Sequence, residues 1–99
     1  MKSLIFLPEA KEEMNEAARY YEAQASGLGV DYLSEVERAV TSISESPELW
    51  PKLVGELRRR LVRRFPFGIL YYIESKEIII VAVAHLRRRP GYWKNRIGF

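Results

Sequence analysis

The spacing of apolar residues along the chain changes at two places and predicts two kinds of element. Ser3–Leu7 is a short apolar run stopped by Pro8, which predicts a first strand. Pro8 suits the first turn of a helix, and Glu9, Glu12 and Glu13 put negative charge where a helix N-terminus favours it. Ala10, Met14, Ala17, Ala18 and Tyr21 then recur at three- and four-residue steps, predicting a helix over 8–25 with one apolar face. Gly27-Leu28-Gly29 breaks it. A second helix is expected from Val30 or Asp31, with Leu33, Val36, Val40 and Ile43 on one stripe and Ser46-Pro47 as its stop. Two helices joined by so short a turn form an antiparallel hairpin. Glu48–Gly55, with Trp50-Pro51, reads as the loop out of the helices.

From Leu57 the period becomes two. Leu57, Leu61 and Phe65 fall on one face of a strand, and Arg58, Arg60, Val62 and Arg64 on the other. Pro66-Phe67-Gly68 marks a turn. Ile69–Glu74 and Ile78–His85 are strand-length runs rich in Ile, Val and Tyr, nearly continuous in apolar residues, so both sheet faces there should be covered at least in part. The alternation sets His85 beside Ile79, Val81 and Val83. A short tail follows. The expectation is a single α+β domain over 1–99: an N-terminal strand, an antiparallel helical hairpin packed on a three- to four-stranded antiparallel sheet, and the tail.

Charge sharpens this picture. The net charge of +3 conceals a division: residues 1–51 carry four basic and ten acidic side chains, and residues 52–99 carry twelve basic and three acidic. One surface is therefore acidic and another strongly basic, and the basic one would attract phosphate or an acidic protein segment. There is no cysteine, which removes disulfides, thiolate metal sites and cysteine nucleophiles. Leu4-Ile5-Phe6-Leu7 is too short for a signal peptide and nothing approaches a membrane span, so the expected compartment is the cytoplasm, away from membranes.

Three constellations could carry chemistry. Arg58, Arg59, Arg60, Arg63 and Arg64 lie on one strand, and Arg87, Arg88 and Arg89 follow the last. Of these, Arg58, Arg60, Arg64, Arg88 and Arg89, with Trp93 as an aromatic face, are the candidates for binding nucleic acid or an acidic protein partner. The plainer use of such charge is a solubilised edge strand with ion pairs to the acidic helices. His85, the sole histidine, ends a strand beside the arginines and could act as acid or base on a phosphate, or simply close the strand with a hydrogen bond. Tyr92-Trp93 could place a phenol near the arginines or pin the tail to the core. Glu9, Glu12, Glu13 and Glu16 read as a solvated helix face, not a metal site. No phosphate loop, metal-ligand spacing or nucleophile elbow occurs, and no metal or cofactor is implied.

Glu9–Tyr21 with its Tyr20-Tyr21, the Gly27-Leu28-Gly29 turn, Ser46-Pro47, the run from Leu57 through Tyr71, and Ala82-Val83-Ala84-His85 before the arginines together resemble the RelE/ParE toxin superfamily, over nearly the whole chain. The resemblance implies the toxin of a type II toxin–antitoxin pair, which arrests growth and is neutralised in a heteromeric complex by a cognate antitoxin. An acidic antitoxin segment would pair with Arg58, Arg60 and Arg64. RelE-like members cut mRNA on the ribosome; by that likeness His85, Arg87 and Tyr92 would be catalytic, Arg87 standing about where those enzymes place a transition-state arginine. ParE-like members poison DNA gyrase without established catalytic residues. An arginine of RelE-like enzymes falls on Gly68 here, which inclines the reading to the gyrase branch. A non-toxic nucleic-acid-binding domain, or a decayed toxin, is the third reading.

Overall fold

Non-local pairing turns the predicted segments into one sheet with a cover on each face. The computed structural model describes residues 2–97 and runs β1 (Ser3–Phe6), α1 (Pro8–Gln24), α2 (Leu28–Glu45), β2 (Lys52–Val54), β3 (Leu57–Leu61), β4 (Phe67–Ile73), β5 (Glu77–His85) and a final turn of 3-10 helix, Lys94–Arg96. The strand order is β1-β5-β4-β3-β2. β2 to β5 form an antiparallel meander, and β1 lies parallel to β5 with Leu4 opposite Ile78 and Phe6 opposite Ile80. The expected three- to four-stranded antiparallel sheet is thus a five-stranded mixed one. β2 is three residues between Pro51 and Gly55, too short to alternate visibly. β1 takes the one side of β5 that β4 leaves open, and the intervening helical hairpin sets its direction.

The hairpin packs on one sheet face. Ala10, with Met14, Ala17, Ala18 and Tyr21 partly buried, meets Tyr32, Val36, Ala39 and Ile43 of α2. Leu33, expected on the α2 stripe, is instead exposed, and Tyr32 takes its place in the core. Tyr21, Tyr32, Phe65 and Phe67 form an aromatic cluster with ring centroids 4.9 to 6.2 Å apart. The opposite face carries Leu57, Leu70, Ile79, Val81, Ala82 and Ala84, and the tail covers it with Trp93, Tyr92 and Ile97. Both faces of β4 and β5 are therefore covered, as their unbroken apolar runs imply.

Two departures from simple alternation decide where side chains point. β3 ends at Leu61, and Arg64 sits in the left-handed region with φ 70°. Val62 and Phe65 consequently turn in to the helix-side core, while Leu61 is exposed and Leu57 is buried on the other face, so Leu57, Leu61 and Phe65 do not share a face. In β5, Tyr71 stands opposite Ile80 and Leu70 opposite Ala82, leaving Val81 as an inserted bulge residue. Ile78, Ile80 and Val83 face the helices, whereas Ile79 and Val81 face the tail. His85 thus keeps company with Val83 and not with Ile79 or Val81. Among the described residues no helix is long and apolar enough to cross a membrane.

The helix turn depends on Gly29. Its N–H donates to Glu22 Oε1 at 3.0 Å and that of Gly27 to Glu22 Oε2 at 2.9 Å, so a carboxylate from the end of α1 satisfies the start of α2. A Cβ on Gly29 would stand 2.6 Å from the Ala18 carbonyl oxygen. Gly→Ala within a helix ordinarily stabilises by about 1 kcal/mol. Here the clash is with backbone, and we expect Gly29→Ala to destabilise by about 1–3 kcal/mol, read as a lower urea midpoint.

Candidate binding face and the tail that borders it

The arginines of β3 divide by face. Arg58 and Arg60 stand opposite Tyr71 and Ile69, both of the helix-side core. Arg58 Nη1 donates to the carbonyls of Trp50 and Glu48 at 2.7 and 3.1 Å, tying down the loop after α2. Arg60 Nε donates to Ser42 Oγ at 3.1 Å, its Nη1 reaches the Leu61 carbonyl, and its guanidinium lies 4.3 Å from the Trp50 ring centroid. Arg64 stands 3.8 Å from the Asp31 carboxylate, with both side chains more than half exposed. None of these three lines the groove described next.

Arg59 points the other way, into an open groove of about 410 Å³ on the tail-covered face. The floor is Gly68, Leu70 and Ala84; Leu53 and Val54 of β2 form one wall, and the tail from His85 to Lys94 forms the other. The Arg59 stem lies across Gly68, with its Cδ 3.0 Å from where a Cβ on Gly68 would be. The stem of an arginine from the neighbouring strand thus fills the space beside Gly68. Of the predicted site residues, His85, Arg88, Arg89, Tyr92 and Trp93 border this groove, and Arg87 does not. Arg59, named among the strand's arginines but not in the narrower binding set, and Lys94, not singled out, border it as well. Alternation alone puts Arg59 on the face of Leu57 and Leu61, away from Arg58 and Arg60.

The borders of the groove are held by Glu13. Its carboxylate accepts the Val83 N–H (3.1 Å), the Tyr92 hydroxyl (2.6 Å), Arg88 Nη1 (3.2 Å) and Arg96 Nη1 (2.8 Å) and Nη2 (3.1 Å). The Glu13 and Arg96 side chains are only 12% and 13% exposed. Glu13 is therefore the inward member of the helix face read as solvated; Glu9, Glu12 and Glu16 are exposed, and Glu12 pairs with Arg19. Arg96 also donates to the Val81 carbonyl at 3.1 Å, and the Arg88 guanidinium covers the Tyr92 ring at 3.7 Å.

These bonds bear on the chemistry open to each group. Burial, then the hydrogen bond to Glu13, raises the Tyr92 phenol above the ordinary tyrosine value; bonding to Glu13 raises Arg96 likewise. His85 Nδ1 accepts the Arg87 N–H at 3.0 Å, which assigns the proton of a neutral ring to Nε2, and the ring packs edge-on against Phe67 at 5.1 Å. Trp93 is 6% exposed and packs under the sheet, so its face is closed to stacking. The side chains of Arg59, Arg87 and Arg89 make no hydrogen bond or ion pair among the described residues. No group of three or more His, Asp or Glu there could hold a metal ion.

The family model described as "ParE toxin of type II toxin-antitoxin system, parDE" matches residues 4–90. The chain belongs to the ParE toxin family. A solved structure titled "Chromosomal ParDE TA system from P. aeruginosa" superposes with a TM-score of 0.65 at 19% identity, covering 88% of this chain and 98% of that one. That likeness is one of fold. No curated protein matches the chain. The ParE match ends at Pro90, so Tyr92, Trp93 and Arg96, which close the tail onto the sheet, lie beyond the matched residues.

Removing the Glu13 carboxylate leaves Arg96 nearly buried and unpaired and the Val83 N–H without its acceptor. Glu13→Ala should therefore cost about 3 kcal/mol, and Tyr92→Phe about 1 kcal/mol, in urea unfolding. With its folded pKa raised, the phenol contributes its stability in full below the unfolded tyrosine value of about 10 and loses it as pH rises further. Alkaline destabilisation should be weaker in Tyr92→Phe than in the parent chain, measured by thermal melts across that range.

Proposed function

We propose that this ParE-family chain is a growth-arresting toxin of the cytoplasm, that a co-produced antitoxin holds it inactive in a heteromeric complex, and that it acts by binding DNA gyrase without cutting RNA. Family membership supports the toxin–antitoxin assignment. The observation that carries the choice of target is the occupancy of the acid–base candidates. The Tyr92 hydroxyl donates to Glu13, and the His85 Nδ1 lone pair is taken by the Arg87 N–H. A ribonuclease needs a base free to take the proton of a ribose hydroxyl, and neither group offers one toward the groove. Gly68, in place of the arginine of RelE-like enzymes, inclines the reading the same way, and the Arg59 stem packs across it. Arg87, with its side chain unpaired, serves this reading as a contact to the target.

The test is short induction in bacteria, mapping new 5′ ends on a translated reporter mRNA while following DNA breaks. We expect intact mRNA, double-strand breaks and DNA-damage signalling, with the purified chain blocking supercoiling by gyrase. New ends confined to translated codons would replace gyrase by the ribosome and return His85, Arg87 and Tyr92 to catalytic candidates. Normal growth without any antitoxin would remove the toxin assignment and leave a nucleic-acid-binding domain or a decayed toxin.

A further inference from the structure

We infer that one end of the sheet, where β3 turns into β4 and β5 runs into the tail, grips the backbone of double-stranded DNA without regard to base sequence. Arg63 and Arg87 meet its phosphates, with Arg64 and Arg89 beside them. The inference rests on the gyrase reading only for which DNA the chain meets, namely the duplex that the enzyme holds.

Topology brings the two turns together. The Val62 N–H donates to the Phe67 carbonyl at 2.9 Å and the Phe67 N–H to the Phe65 carbonyl at 2.8 Å, so the first turn is tight. The Leu86 N–H donates to the Pro66 carbonyl at 2.9 Å and fastens the second turn to the first. His85 shapes that second turn: its carbonyl accepts the Arg88 N–H and its ring Nδ1 the Arg87 N–H, both at 3.0 Å. Val62 and Phe65 are buried, which leaves Arg63 and Arg64 outside, and Arg87 and Arg89 are exposed as well. The cations thus stand on backbone that is already fixed, and this lowers the ordering cost of binding.

Their charge is uncompensated. The side chains of Arg63, Arg87 and Arg89 have no partner among the described residues, and Arg64 has only Asp31 at 3.8 Å. Sequence alone places nucleic-acid contacts on Arg58, Arg60, Arg64, Arg88 and Arg89. Arg58 and Arg60 spend donors on Trp50, Glu48, Ser42 and Leu61, and Arg88 on Glu13, whereas Arg63 and Arg87 are left over. Neither of those two lines the groove beside the tail. They project from turns, so the partner supplies the concave surface, and the guanidinium fork matches a phosphate.

The rings decide between a duplex and a single strand. An unpaired base needs an open aromatic face, but Phe65, Phe67 and Trp93 are buried and Arg88 lies over Tyr92. Tyr20 is exposed, but it borders the same hollow as Glu16, whose charge repels a phosphate chain. Backbone contact with the bases left stacked is what this end offers.

The experiment titrates the full chain into a fluorescent duplex of mixed sequence by anisotropy and follows its amides by NMR. For about three phosphate contacts, affinity should fall roughly fortyfold between 50 and 200 mM salt. We expect equal affinity for duplexes of unrelated sequence, weaker binding of single strands, and amide shifts confined to 62–65 and 86–89. Arg63→Ala and Arg87→Ala should each lower affinity about three- to tenfold and take about one from the salt slope. Lys76→Ala, which removes the same charge from the β4–β5 turn at the far end of the sheet, should change neither. The Arg63 and Arg87 side chains make no contacts, so their loss cannot be laid to misfolding. An equal loss in all three variants would reduce the effect to bulk charge and overturn the inference. Tighter binding of single strands or of RNA, or no binding at the lower salt, would do the same. Gyrase poisoned by a chain that binds no DNA removes this inference alone. DNA gripped at these turns by a chain that leaves gyrase untouched supports the inference and removes the gyrase reading.

Discussion

β1 stops at Phe6, and from Val81 onward the outer side of β5 has no strand beside it. Backbone groups at such an edge must find partners or lose the hydrogen bonds they had with water. Here the Val83 N–H goes to Glu13 and the Val81 carbonyl to Arg96, and those two side chains pair with each other at 2.8 Å. One ion pair thus completes the edge and fastens α1, above the sheet, to the tail below it. Neither charge could be nearly buried without the other, so each makes the other's position tolerable. The bulge at Val81 falls at this same edge, where it re-aims the end of β5.

The working face follows from that clamp. Tail residues held by Glu13 form one wall of the groove, and the floor is the part of the sheet the tail does not reach. The abundance of arginine in the second half of the chain then separates into two populations. Arg58, Arg60, Arg88 and Arg96 are consumed in holding the loop after α2, the hairpin and the tail together. Arg64 pairs loosely with Asp31, and Arg59, Arg63, Arg87 and Arg89 have no side-chain partner among the described residues. Tyr92 belongs to the same clamp, its phenol donating to the nearly buried Glu13 carboxylate.

Much of this was legible beforehand. The helix face from Ala10 to Tyr21, the Gly27–Gly29 break, the stop at Ser46-Pro47 and the apolar runs of β4 and β5 are all local patterns, and the structure keeps them. The family resemblance was legible for the same reason, since it rests on the order of those patterns. Glu13 was not. Helical spacing sets it three residues after Ala10 and four before Ala17, at the rim of the apolar face, but its partners lie some seventy or more residues away in the chain.

Sequence by itself determined the order of the elements apart from β2, the α+β class and the charge division, because each is carried by spacing and composition along the chain, and its motifs carried the resemblance to the RelE/ParE superfamily. Tertiary structure alone decided the parallel place of β1, the fifth strand, the direction of every arginine on β3 and the bond from Tyr92 to Glu13. Those depend on which edges meet and where a strand slips by one residue. A slip of one reverses every side chain beyond it, and no periodicity records on which residue it falls.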